Sequence, residues 1–228
     1  MSIRRADIQA AVTDSLIKAG TMFRNDQIGA YRKMIANESN PNARWVMEQL
    51  LKNAEIAARQ HLPLCDDTGI PHVIAQIGES CQLPPVWAAA ILEGITRGLR
   101  EMPGRPMAVR GDSVQRVEQS RGLYEDSGML EAAPIITRSV GGDKLTLTVL
   151  LLGGGPEIRA KTRRIFHRRS IDHVLDEAAA WLKTEIGSLG CTPAVAAIGI
   201  GRSQVEASVL MLEAMREKPI TNQGRQLG

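Results

Sequence analysis

Apolar positions recur three and four residues apart in the segment from Arg4 to Ala30, where Ile8, Ala11, Val12, Ser15, Leu16 and Ala19 fall on one face. That spacing predicts an amphipathic helix ending near Gly20. A second stripe, Trp45, Val46, Leu50, Leu51, Ala54 and Ala57-Ala58, predicts a helix from near Asn42 to His61-Leu62-Pro63. The pattern then shortens. Pro71 to Gly78 is β-branched and bounded by glycine, as a strand is. Pro84-Pro85-Val86-Trp87 opens a helix reaching about Leu99, with proline in the permitted first turn. Glu101 to Gly128 has little periodicity and much Gly, Pro, Arg and Asp, and reads as a long functional loop or a mobile segment.

Ala133 to Val140 and Lys144 to Leu152 are two strand candidates joined by Gly141-Gly142-Asp143. Thr146 and Thr148 alternate with Leu145, Leu147 and Val149, which predicts an antiparallel hairpin with one buried face. Ser170 to Ile186 carries Val174, Leu175, Ala178, Trp181 and Leu182 at helical spacing, with Asp172, Asp176 and Glu177 early. Ala194 to Ile200 reads as a strand and Gln204 to Glu217 as a final helix. The expected class is mixed α/β (α+β): a helical N-terminal region, residues 1–60, packed on a small mixed β-sheet with flanking helices in residues 61–228, all in one domain.

Composition narrows the function classes. Hydrophobic content of 43% and charged content of 23% exclude wholesale disorder. Aromatic content of 3% argues against a base-stacking platform. The formal charge of +3 suits anionic metabolites or an acidic partner surface without singling out nucleic acid. The basic run of Arg159, Lys161, Arg163, Arg164, His167, Arg168 and Arg169 reads accordingly as a solvated face or a contact for an acidic partner. No apolar run approaches the roughly 18 to 20 residues that span a bilayer. The N-terminus lacks the apolar core of a secretory signal, so neither membrane insertion nor export is expected and the chain reads as cytoplasmic. Cys65, Cys81 and Cys191 lie far apart, which opposes a disulfide framework and fits a reducing compartment. None forms a close Cys or His pair of the zinc kind, and His61 and His72 offer only loose company.

The densest chemistry is Leu62-Pro63-Leu64-Cys65-Asp66-Asp67-Thr68-Gly69: a thiol, two carboxylates, a hydroxyl and a turn glycine in consecutive positions. Pro63 and Pro71 keep a long helix or a central strand from running through it, so it is a loop, where ligand-holding side chains concentrate. A bare turn with a buried structural cysteine has the same local signature.

Leu64-Cys65-Asp66-Asp67-Thr68-Gly69 resembles the Cys-Gln-Asp-Thr-Gly motif of class I (iron–sulfur) fumarases and of the alpha subunit of L-tartrate dehydratase. Gly153-Gly154-Gly155-Pro156-Glu157 is similar to that family's Gly-Gly-Gly-Ser-Glu segment. Gly190-Cys191-Thr192-Pro193 with Ile198-Gly199-Ile200-Gly201 resembles its Cys-Pro-Pro and Gly-Val-Gly-Ile-Gly segment. The three motifs keep the family's order. Pro103-Gly104-Arg105-Pro106-Met107-Ala108-Val109 is similar to its Pro-Leu-Arg-X-X-Ala-Val stretch.

The resemblance implies an alpha-type hydro-lyase domain or subunit acting on a small hydroxy-dicarboxylate, fumarate/malate or tartrate/oxaloacetate, with a [4Fe–4S] cluster and a beta-type partner subunit or domain in a hetero- or homo-oligomer. It implies Cys65 and Cys191 as cluster ligands, Asp67 as the catalytic proton donor to the departing hydroxyl, and Thr68 beside it as a matching catalytic position. It implies Arg105 as a bidentate carboxylate clamp, with Arg110 its rival, and Asp66 as a substrate contact. The family's third cluster cysteine would follow Gly228, and Cys81 matches none of its cysteines: the chain reads first as a truncated alpha subunit that needs its partner for activity, the alternatives being that Cys81 or a partner subunit replaces the missing thiolate or that no cluster forms. Asp66 stands where the family has glutamine, and Pro156 where it has serine. These departures suit the alternative reading, a cluster-less relative acting as a binding or interaction module.

Overall fold

A computed structural model describes residues 3–102, 104, 107–153, 161–188 and 196–217. Described residues up to 153 form one compact unit and those from 161 to 217 a second.

The first unit begins with α1 (Arg5–Thr21), whose start is fixed by the Asp7 carboxylate accepting the Arg4 backbone N–H at 3.1 Å. Its apolar stripe Ile8, Val12 and Leu16 is buried as the spacing predicts. The partner for that stripe is α4 (Trp87–Glu101), which buries Ala90, Ile91, Ile95 and Leu99. Thr13 joins the two helices by donating its hydroxyl to the Gly94 carbonyl at 3.0 Å. Between them in the chain lie α2 (Asn25–Asn37) and α3 (Pro41–Gln60). The start of α3 is set by Asn40, whose side chain accepts the N–H groups of Asn42 and Ala43, and by Pro41 in the first turn. The sequence pattern misses α2, because its apolar positions are few and none is fully buried. The proline pair ahead of α4 stays outside the helix, which Val86 caps.

The sheet has three strands, β1 (Ile70–Gly78), β2 (Ile136–Val140) and β3 (Leu145–Leu152), in the order β2-β1-β3. β1 pairs parallel with β2 (Ile74 opposite Ile136) and antiparallel with β3 (Val73 opposite Val149). The expected β2–β3 hairpin is therefore not formed. The connection between β2 and β3 crosses the end of β1 instead: the N–H groups of Gly78, Glu79 and Ser80 donate to the carbonyls of Lys144, Val140 and Gly142 at 2.9 Å each. The central strand thus buries Val73, Ile74 and Ala75 completely, while Leu145, Leu147, Val149 and Leu151 of β3 pack on the α1–α4 core. This is the expected α/β arrangement, a helical N-terminal region on a small mixed sheet.

The segment expected as a long loop carries a short helix, α5 (Ser113–Glu118), and a 3₁₀ turn (Ser127–Met129). Asp112 caps α5, and Asp126 caps the turn while accepting two hydrogen bonds from Arg100 at 2.9 and 2.6 Å. In the second unit, Ser170 caps α6 (Ile171–Glu185) and Ser203 caps α7 (Gln204–Arg216). Lys161 pairs with Glu185, and Arg163 pairs with Glu177 at 3.4 Å, so part of the basic run is spent on α6. Of the expected strand Ala194 to Ile200, residues 196–200 are described and have no strand pairing among the described residues. No helix among the described residues is long and apolar enough to cross a membrane.

Candidate active site

The loop after α3 is built by anchoring its two ends. His61 ends α3 in the left-handed region at φ 54°, and Leu62 donates its N–H back to the Ala57 carbonyl at 3.0 Å. Leu64 is then held on both sides: its N–H donates to the Gly20 carbonyl at 2.8 Å, and its carbonyl accepts from the Asn53 side chain at 3.0 Å. Leu64 is thus fixed at the end of α1, and Cys65 and Asp66 after it are exposed. Asp67 is half-buried and turns the chain, its Oδ1 accepting the Gly69 N–H at 3.2 Å. Thr68 is buried, at 6% exposure.

Gly69 explains why the loop ends where it does. Its φ of +86° is left-handed, and a Cβ there would sit 2.9 Å from the backbone N, C and O of Leu152. Only glycine meets both conditions without strain. The loop therefore lies against the last residue of β3, immediately before Gly153. On its other side it meets Gly104, where a Cβ would overlap the Thr68 methyl. The close approach of Gly104 was not legible as such in the sequence, where Gly104 stood only as part of the Pro103–Val109 stretch. Two motif segments distant in the chain, Leu64–Gly69 and the stretch containing Gly104, thus touch each other, and the lead residue of the glycine triplet adjoins them.

The model of the fumarate hydratase (Fumerase) family matches residues 9–227. The chain belongs to this family. Among its relatives, the putative L(+)-tartrate dehydratase subunit alpha of Methanocaldococcus jannaschii is 23% identical over 230 residues, covering 96% of this chain and 79% of that protein. Fumarate hydratase 2 of Leishmania major is 28% identical over 193 residues, 82% of this chain and 32% of its own length. Fumarate hydratase 1, mitochondrial, of the same organism is 24% identical over 200 residues, 84% of this chain and 34% of its own. The chain spans about four-fifths of the first and about a third of the other two.

For a member of the fumarate hydratase family, the described site is rich in oxygen donors and poor in thiols. Cys65 is free and exposed; Cys81 is free and half-buried. They flank opposite ends of β1, whose eight residue steps span about 26 Å at the usual strand rise. Among the described residues, no group of three His, Cys, Asp or Glu side chains is placed to hold a metal. The donor set of a three-cysteine cluster is therefore not completed by the described residues. Cys191, Arg105, Pro156 and Glu157 lie outside them. Arg110 is committed elsewhere: its guanidinium donates to the Arg121 carbonyl at 2.9 Å, and its N–H to the Gly122 carbonyl, bracing the Val109–Leu123 bridge. His72, at the start of β1, has Nδ1 2.9 Å from the Ile70 carbonyl.

Proposed function

We propose that this chain is the alpha-type part of an iron–sulfur hydro-lyase that adds water to, or removes it from, a small hydroxy-dicarboxylate of the fumarate/malate or tartrate/oxaloacetate kind. The observation that carries the reading is the junction of the Cys65–Gly69 loop with Gly104 and Leu152 in a chain that matches the family model over nearly its whole length. In this reading Asp67 carries the proton exchanged with the departing or entering hydroxyl, next to Thr68 at the reacting centre. Arg105 binds a carboxylate by two parallel N–H···O bonds. Asp66 repels a carboxylate, so it accepts a hydrogen bond from the substrate's hydroxyl side. Cys65 and Cys191 are this chain's thiolates for a [4Fe–4S] cluster, with the beta-type partner supplying the rest of the pocket. The names of the relatives support both the alpha-type role and the substrate class.

The test is anaerobic reconstitution of the chain with iron and sulfide, alone and with a beta-type partner, followed by metal and sulfide analysis and assay on malate and tartrate. Cys65→Ser and Cys191→Ser should each abolish cluster binding, and Cys81→Ser should leave it unchanged. If no iron or sulfide is retained even with the partner present, the catalytic reading fails and the chain is a binding module on the same fold.

A further inference from the structure

The Thr68 hydroxyl is the one polar side-chain atom among the described residues that is both buried and without a hydrogen-bond partner. A hydroxyl removed from water and left unpaired is unfavourable to the fold, so its retention calls for a reason outside the folded chain's own bonding. Its position is also fixed in advance. The Thr68 methyl is wedged against Gly104, and the next residue is locked at φ +86° against the Leu152 backbone. Because a β-branched side chain has few χ1 choices, pinning the methyl sets where the oxygen points. Asp66 and Asp67 precede it in the chain, yet the hydroxyl bonds to neither carboxylate. The buried O–H therefore has no acceptor among the described residues of the folded chain.

We infer that Thr68 Oγ1 is a preformed hydrogen-bond donor reserved for an oxygen of the bound hydroxy-dicarboxylate, contributing to ligand affinity and nothing to the stability of the free protein. The identity of the ligand rests on the hydro-lyase reading above; the unpaired state of the hydroxyl does not. Gly104 belongs to the same device, since any side chain there displaces the methyl that aims the oxygen.

Thr68→Val keeps the shape and removes the hydroxyl; Thr68→Ser keeps the hydroxyl and removes the methyl. The full chain and both variants are followed by thermal unfolding without ligand, then with increasing malate or tartrate in the presence of the beta-type partner. The expected result is that Thr68→Val melts at or above the wild-type temperature without ligand. Its affinity for the acid should fall about ten- to a hundredfold, the usual weight of a hydrogen bond to a charged group. Thr68→Ser should keep most of the wild-type affinity. A Thr68→Val protein that melts clearly lower without ligand overturns the inference, because the hydroxyl then has a partner in the fold. Equal affinities of wild type and Thr68→Val overturn it too, while leaving the hydro-lyase reading intact. If neither acid shifts the wild-type protein, the hydro-lyase reading fails and the ligand assignment falls with it, an outcome recognisable because it appears without any substitution.

Discussion

Replacing Gly69 by alanine tests whether the loop is held by backbone geometry. The left-handed conformation at φ +86° costs an L-residue about 1 to 2 kcal/mol. The added Cβ would also lie 2.9 Å from three backbone atoms of Leu152. Those atoms cannot rotate aside, because Leu152 is paired with Ile70 in the β1–β3 ladder. Forcing such an overlap in a packed region costs about 1 to 3 kcal/mol. The smaller conformational freedom of alanine in the unfolded chain returns about 0.4 to 1 kcal/mol. The net expectation is a destabilisation of about 1 to 5 kcal/mol, centred near 3, read as a fall in the urea midpoint of about 1 M or more at unchanged slope. Gly29→Ala is the matched control. Gly29 lies inside α2 with nothing within 4 Å of where the alanine methyl would sit, so this substitution should stabilise by about 0.5 to 1 kcal/mol. Equal midpoints for Gly69→Ala and wild type would refute the argument, since neither the strain nor the overlap would then be real.

The Asp126 carboxyl, held at about 2 chiefly by the Arg100 guanidinium and next by the Gly128 N–H, should titrate near that value by NMR. Because its folded pKa is depressed, its contribution to stability is present above the unfolded value of about 4 and is lost as pH falls through about 2. A titration midpoint near 4, or no change on Arg100→Gln, would contradict this. Leu16→Ala should lower stability by about 2 to 5 kcal/mol, because Leu16 is fully buried between α1 and α4 and the helices cannot close the cavity. A loss under about 1 kcal/mol in denaturant unfolding would show that this interface is not the core of the first unit.

Much of the chain's local structure was legible in the order of its residues. α1, α3 and α6 announce themselves through apolar stripes at helical spacing, α4 through the prolines that open it, and β1 and β3 through short β-branched or alternating runs, because such patterns are properties of each segment alone. The Cys65–Gly69 loop was readable for the same reason: residues that cannot continue a helix or a central strand are adjacent in the sequence. Arrangements that depend on distant partners were not readable. Local alternation predicts that β2 and β3 pair with each other, yet β1, from more than fifty residues earlier, inserts between them, because there it buries both its faces. Ala194 to Ile200 has a strand's composition, but its described part finds no pairing edge among the described residues, and a strand without a neighbour cannot satisfy its backbone. The candidate site divides along the same line. Which residue types are present at Cys65, Asp66, Asp67 and Thr68 is sequence. That Thr68 is buried with an unpaired hydroxyl and that Gly104 presses on its methyl were decided only by tertiary packing, because burial and close approach are set by residues far along the chain.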